Sequence, residues 1–395
     1  MSRATLSLVL LVSCAHALVH GYEVGLASVE QEIAVEYFGE DVGSGKGFTG
    51  RLSNTWRLMW GLGAVVAGFL VDRFGARRLL TLYLLGCGGA CALAATSTDE
   101  SSLLVAMISM GLMASIYHPA GLSLISHETT AEERPRALGL HGIFGSAGLG
   151  STPLFVGVLL AASMSWRNIY WVLMVPGLLL GLVFLVQAFR HRSIESRKTT
   201  ASGESDDQDH IDWPCFFTLT LMASVQGFVY SAFISFLPRY LDGTPSMVRG
   251  HYLAAGVLLI GCIGQELAGR FASSAILERQ LAWITFANVP FLLWMAFATT
   301  WDRAVAAGLL ALVHFMHQPI YNSLIAKYTP RHRRSLCYGF SFAMGLGLGS
   351  FGASFAGAYQ SDALVYGTLA ATAAFGGLIC ITLSLLCHRQ STRSW

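Results

Sequence analysis

Charge is scarce in this sequence: only 12% of its 395 residues are Asp, Glu, Lys or Arg. A chain so poorly supplied cannot clothe the surface of an ordinary soluble domain. Its eight cysteines form no CxxC pair and fall in apolar runs or beside the last one, which argues against a disulfide framework and against a zinc site. No P-loop or other nucleotide-binding signature occurs, so any energy the protein uses should come from an ion gradient rather than from ATP. The net charge is only +2, with the basic residues set in short loops. That pattern argues against a DNA or RNA partner.

Apolar sequence is abundant instead. Hydrophobic residues make up 54% of the chain and mean hydropathy is +0.55, the signature of a polytopic membrane protein. Runs of about 20 residues, enough to cross a hydrocarbon core of about 30 Å, recur twelve times: 5–36, 50–71, 77–96, 101–127, 136–163, 167–190, 213–240, 248–270, 279–299, 302–328, 335–359 and 363–387. The predicted fold class is an all-α membrane protein of twelve transmembrane helices. The first run, one arginine followed by TLSLVLLVSCAHA, resembles a signal peptide, but its helical pattern continues past residue 30 and the segment is kept as the first span. With both termini cytoplasmic, the inward loops hold 18 of the 25 Lys and Arg residues, which sets the orientation by the positive-inside rule. The expected location is a cell membrane, the inner membrane if the source is bacterial.

The tract RHRSIESRKTTASGESDDQDHID has no apolar periodicity and reads as a cytoplasmic linker. It divides the chain into bundles of six helices at 1–190 and 213–395, joined by 191–212. The halves are related. Residues 118–150 and 318–350 superpose without a gap at an offset of 200: Pro119 meets Pro319, Ser123-Leu124-Ile125 meets Ser323-Leu324-Ile325, and Gly139 and Gly145 meet Gly339 and Gly345. Such a match indicates one fold used twice. Pro119 and Pro319 should kink the fourth and tenth helices at one level, as hinges.

Against this apolar background stands HALVHGYEVG, residues 16–25, where His16, His20 and Glu23 share a helical face. A charge at mid-bilayer costs about 2.5–3.5 kcal/mol on insertion scales, so the stripe needs a polar interior. On depth, Arg57 of the second span should pair with Glu23, and Tyr117, His118, Gln226, Tyr230, His314, His317 and Tyr321 are further candidates for a substrate or proton pathway. Glu30, Glu32 and Glu36 read as a solvated face at the outer mouth.

Motifs add a family resemblance. GFLVDRFGARR, residues 68–78, resembles the G-x-x-x-D-R-x-G-R-R signature of the major facilitator superfamily at Gly68, Asp72, Arg73, Gly75, Arg77 and Arg78, with Ala76 where a basic residue is usual. The resemblance implies a cytoplasmic gate that latches in the outward-open state; Arg270 in ELAGRFASS is its weaker echo, with Gly269 in place of the aspartate. GLHGIFGSAGLGSTPLFVG resembles the superfamily's antiporter signature at Gly139, Gly148, Pro153 and Gly157, although Thr152 and Val156 replace glycines. It implies a small-residue packing surface bent at the proline. GLMASIYHPAGLSLIS, residues 111–126, is similar to fosmidomycin-resistance-like exporters, in which H-x-x-x-D stands where this chain has His16 and His20, leaving Glu23 to supply a carboxylate. The family fold implies two pseudo-symmetric bundles with helices one, four, seven and ten lining a central cavity.

The reading that follows is a secondary transporter exporting a small organic molecule in exchange for protons, working as a monomer in the lipid bilayer without cofactor or metal. Alternatives are a proton-coupled importer of a nutrient and, on the spacings HALVH and HFMH, an integral membrane metalloenzyme.

Overall fold

In hydrocarbon every backbone N–H and C=O must be satisfied within the chain, and the apolar runs do so as helices. The computed structural model describes residues 1–130, 133–190, 210–242, 247–273, 275–330 and 334–391, so most of the expected linker, 191–209, lies outside the described residues. Helices α1 (Arg3–Phe38), α2 (Val42–Phe74) and α3 (Ala76–Ala95) open the first half. They are followed by α4 (Glu100–Glu128), α5 (Arg134–Ala161) and α6 (Trp166–Arg190). The second half holds α7 (Trp213–Ser235), α8 (Met247–Phe271), α9 (Leu277–Phe297), α10 (Asp302–Tyr328), α11 (Arg334–Phe342 through Phe351–Ala358) and α12 (Asp362–Ser391). A short helix, Leu237–Leu241, prolongs α7.

Helix ends follow local chemistry. Ser2 and Asp41 accept from Thr5 and Ser44 to cap α1 and α2, and Asp99 forms a reciprocal capping box with Ser102 at α4. Gly39 and Gly75 end α1 and α2 at φ of 58° and 88°, a region that favours glycine. Among the described residues, eleven of the helices are apolar and long enough to cross a membrane. Helix α2 is the more polar twelfth, and two of its cations, Lys46 and Arg57, are turned inward and buried.

Among the described residues four helices are interrupted, one of them α7, at Phe236. Helix α4 breaks at Ser115 and Ile116 and α10 at Met316, each a few residues before Pro119 or Pro319. Helix α11 loosens into a π-turn at Ala343–Gly347 and a 3-10 turn at Leu348–Ser350.

Packing repeats between the halves. α1 lies on α5, α3 on α6 and α2 on α4, and their counterparts α7 on α11, α9 on α12 and α8 on α10. The bundles meet where α2 packs on α11 and α5 on α8, contacts that exchange under the repeat. The approach of α2 to α11 depends on glycine: a Cβ on Gly61 would enter the backbone of Gly347, and one on Gly50 would lie 2.7 Å from the Ala353 carbonyl.

The halves are tied most firmly at the end away from the termini. There Arg239 forks onto the Glu30 carboxylate at 2.6 and 2.7 Å, Lys46 reaches the Tyr359 carbonyl at 2.7 Å, and His251 contacts the Ser28 carbonyl at 2.5 Å. Toward the terminal end, a Cβ built on Gly68, Gly139 or Gly269 would meet nothing within 4 Å.

Candidate functional site

Helix α1 carries its polar stripe into the seam between the bundles. Glu23 is buried to 1% exposure and three groups surround it: His20 Nδ1 at 2.9 Å, the Tyr230 hydroxyl donating at 2.8 Å, and the Arg57 guanidinium at 3.6 Å. Arg57, equally buried, donates through Nη1 to Ser53 and to Ser235 at 3.2 Å, and the two serines touch at 2.7 Å. A carboxylate and a guanidinium of the first half thus bind a hydroxyl apiece from α7 of the second. Removing such charges from water costs several kcal/mol each, and only mutual pairing with satisfied hydrogen bonds offsets it.

One turn closer to the termini the stripe runs into a histidine cluster. His16 Nδ1 lies 2.8 Å from the carbonyl of His141, and the two rings stack at 4.0 Å. Tyr117 donates to the Val12 carbonyl at 2.9 Å and lies 3.4 Å from His141 Nδ1. His118 sits 5.4 Å from the ring of His16 and 5.9 Å from that of His20, between Trp60 and Phe342. One ring nitrogen from each of His16, His20 and His118 lies within 4.8 Å of the other two. Gly145 permits the arrangement, since a Cβ there would strike the His16 ring.

On the second half, the ring of Tyr230 stacks parallel to His314 at 6.0 Å, and His314 Nδ1 contacts Asn288 Oδ1 at 3.0 Å. Lower on α10, His317 stacks on Tyr321, whose hydroxyl meets Ser341 at 2.5 Å. Gln226 is buried with no hydrogen bond to either amide atom, and His317 Nε2 also lacks a partner, among the described residues. These unmet groups suit a surface that receives a ligand. Of the sequence candidates, His16, His20, Glu23, Arg57, Tyr117, His118, Tyr230 and His314 form one connected system; His317 and Tyr321 form a pair of their own, and Gln226 stands a turn from Tyr230 on α7.

Sequence reasoning overlooked His141, Trp60, Ser235 and Arg239. His141 lies within GLHGIFG, where the glycines are the more conspicuous feature. The expected solvated face at Glu30, Glu32 and Glu36 is corrected at Glu30, which is buried beneath Arg239 and accepts from Thr49; Glu36 stays exposed and holds Trp166 Nε1 at 2.6 Å and the Arg167 guanidinium. Helix α1 is leaned on from α2, α6 and the end of α7, and each brings a donor.

The gate residues do not form one cluster. Asp72, Arg73 and Arg78 are exposed, and Asp72 and Arg73 make no ion pair among the described residues. Arg77 is buried and bonded to Glu128 at 2.7 Å. The second half joins the equivalent helix ends with the charges exchanged, Glu278 of α9 to Lys327 of α10 at 2.6 Å. Arg270 pairs with Glu266 in the open. Of the packing residues, Pro153 lies inside an unbroken α5, Gly148 presses on the backbone of Ala17, and Gly157 faces His251. A cavity of about 210 Å³ lined by Lys46, Arg239, Arg303 and Asp362 lies at the far end, away from the histidines.

Residues 33–354 match the family model described as the Major Facilitator Superfamily. The chain is 23% identical over 305 residues to a protein of Escherichia coli described as a probable L-galactonate transporter, covering 70% of this chain and 67% of that one. It is 34% identical over 104 residues to the puromycin resistance protein pur8 of Streptomyces alboniger, covering 26% of this chain and only 20% of the relative. A methylenomycin A resistance protein of Streptomyces coelicolor is 30% identical over 173 residues, 41% of this chain and 33% of that one. In fold it is similar to the inward-open xylose transporter XylE of E. coli, at a TM-score of 0.75 with 12% identity and 96% of each chain covered.

Proposed function

The chain belongs to the major facilitator superfamily, a transporter rather than an enzyme, and from that premise we propose that it exports a small organic molecule in exchange for protons by alternating access. The observation that carries this reading is the buried set Glu23, Arg57, Tyr230 and Ser235. Its members come from both bundles, so rocking one bundle on the other must stretch these bonds. A carboxylate that loses its partners in the membrane must take a proton or stand as an unpaired buried charge, which costs several kcal/mol. A proton gradient can act on such a group.

The terminal end faces the cytoplasm in this reading, because the basic loops lie there. With the far end tied by Glu30, Arg239, Lys46 and Tyr359, the conformation is inward-facing. Exposed Asp72 and Arg73 then belong to a gate released in this state and engaged in the opposite one. The protein works as a monomer in a cell membrane, its bundles 1–190 and 213–395 rocking about α2, α5, α8 and α11, with Pro119, Pro319 and Pro153 as hinges. Gln226, His317 and Tyr321 offer polar contacts to the cargo.

Export is supported by the two antibiotic-resistance relatives. A second reading, proton-coupled import of a nutrient, draws on the longer match to the L-galactonate transporter. A panel of compounds in right-side-out and inverted vesicles under an imposed pH gradient separates the two. Flux should collapse with a proton ionophore, and Glu23→Gln should abolish gradient-driven flux while the protein still folds. Undiminished flux in Glu23→Gln removes Glu23 as the coupling residue.

A further inference from the structure

We propose that His16, His20 and His118 form a binding site for a divalent transition-metal ion of the zinc class, in the seam between the bundles. The site goes beyond the exporter reading and does not depend on it.

The placement is the first argument. His16 and His20 are one turn apart on α1, and α4 brings His118 to them directly after its interruption at Ser115 and Ile116. One nitrogen from each ring lies within 4.8 Å of the others. A zinc centre with Zn–N bonds of about 2.0–2.1 Å and tetrahedral angles sets its nitrogens about 3.4 Å apart. The three nitrogens must therefore draw together by at most about 1.4 Å to hold the ion.

Hydrogen bonding is the second argument, and it is independent of the first. A carbonyl oxygen can only accept, so the contact of His16 Nδ1 with the His141 carbonyl at 2.8 Å places the proton on Nδ1 and leaves Nε2 with its lone pair. Glu23, an acceptor when ionised, does the same to His20 through the 2.9 Å contact at Nδ1. Metal-binding histidines are held in this way, one nitrogen donating to a carboxylate or carbonyl while the other faces the ion. Glu23 enters here as the group that orients His20. His118 completes the set: it meets Trp60 and Phe342 through its ring faces, and neither of its nitrogens makes a hydrogen bond among the described residues.

Donor chemistry decides the class of ion. Three neutral imidazoles without a thiolate or a ligating carboxylate favour zinc, nickel, cobalt or copper over magnesium and calcium, which require oxygen. Three protein ligands leave one position open to water or to a donor atom of another molecule.

The test uses the full-length protein without a histidine tag, in detergent, titrated with zinc ion by calorimetry and by equilibrium dialysis. One ion per chain is expected, with magnesium failing to compete. His118→Ala should weaken binding at least tenfold without removing any hydrogen bond, and Glu23→Gln should weaken it about 10- to 100-fold by releasing His20. His127→Ala, on the exposed end of α4, serves as the control and should change nothing. Should His118→Ala lose its helical circular dichroism, His118→Gln replaces it. Cobalt in place of zinc should give the visible bands of a tetrahedral centre, absent from the His118 variant. Equal zinc binding by the parent and the His118 variant, or no stoichiometric binding by the parent, overturns the proposal. Because binding is read without flux, its failure leaves the exporter reading standing, and failed transport leaves the metal site standing.

Discussion

Tyr230 combines two contacts on one ring: its hydroxyl crosses between the bundles to Glu23 while its face lies on His314. Tyr230→Phe keeps the stacking and deletes only the crossing bond. A hydrogen bond to a charged group contributes about 1.5–3 kcal/mol, so thermal stability in detergent should fall by about that amount, and pH-driven flux in vesicles should fall with it. Arg57→Gln leaves Glu23 buried without its cation, and the loss expected for such a broken pair is about 3–5 kcal/mol. Thermal unfolding in detergent should register it, and adding Glu23→Gln should recover part of the loss. If the double variant is no more stable than the single one, the two residues are not coupled. At this scale the sequence was informative wherever a polar residue stood in an apolar helix at spacings of three or four. His141 escaped because nothing in its own helix pointed to a partner 125 residues away.

Among the elements, α2 shows how glycine works differently along one helix. Gly61 lies against the backbone of Gly347 across the bundle interface, whereas a Cβ at Gly68 meets nothing within 4 Å. Alanine at either position gains about 1 kcal/mol of helix propensity, so the difference between the two variants isolates the steric cost. Gly61→Ala should be less stable than Gly68→Ala by about 1–3 kcal/mol, measured by thermal unfolding; equal stabilities would mean that α2 and α11 do not approach through Gly61. The matched breaks of α4 and α10 arise from Pro119 and Pro319, legible as a repeated proline at an offset of 200. The softening of α11 at Ala343–Gly347 left no such mark, because its glycines serve packing against α2 and α7 as much as helix geometry.

For the molecule as a whole, closure of the far end rests on few charged contacts. Glu30 and Arg239 join α1 to the end of α7, and Lys46 joins α2 to the loop before α12. Arg239→Gln removes the strongest of these ties. Spin labels at the exposed positions Glu40 and Gln360 should then report longer distances across the far end, as the population moves toward the conformer open on that side. An unaltered distance distribution would show that the Glu30–Arg239 pair has no part in closing the transporter.

Apolar run length and the internal repeat pointed to the helical membrane fold and its paired bundles, because a bilayer leaves the backbone few alternatives, while the motif at residues 68–78 carried the resemblance to the transporter superfamily. They also placed His16, His20 and Glu23 on one face. Which residues oppose that face was decided by tertiary structure: Tyr230 and Ser235 arrive from α7, His118 from α4, and His141 from α5. Glu30 passed from an apparent surface residue to a buried partner of Arg239 for the same reason. Helical periodicity assigns a side chain to a face, but only the packing of bundles far apart in sequence determines whether that face meets lipid, water or an opposite charge.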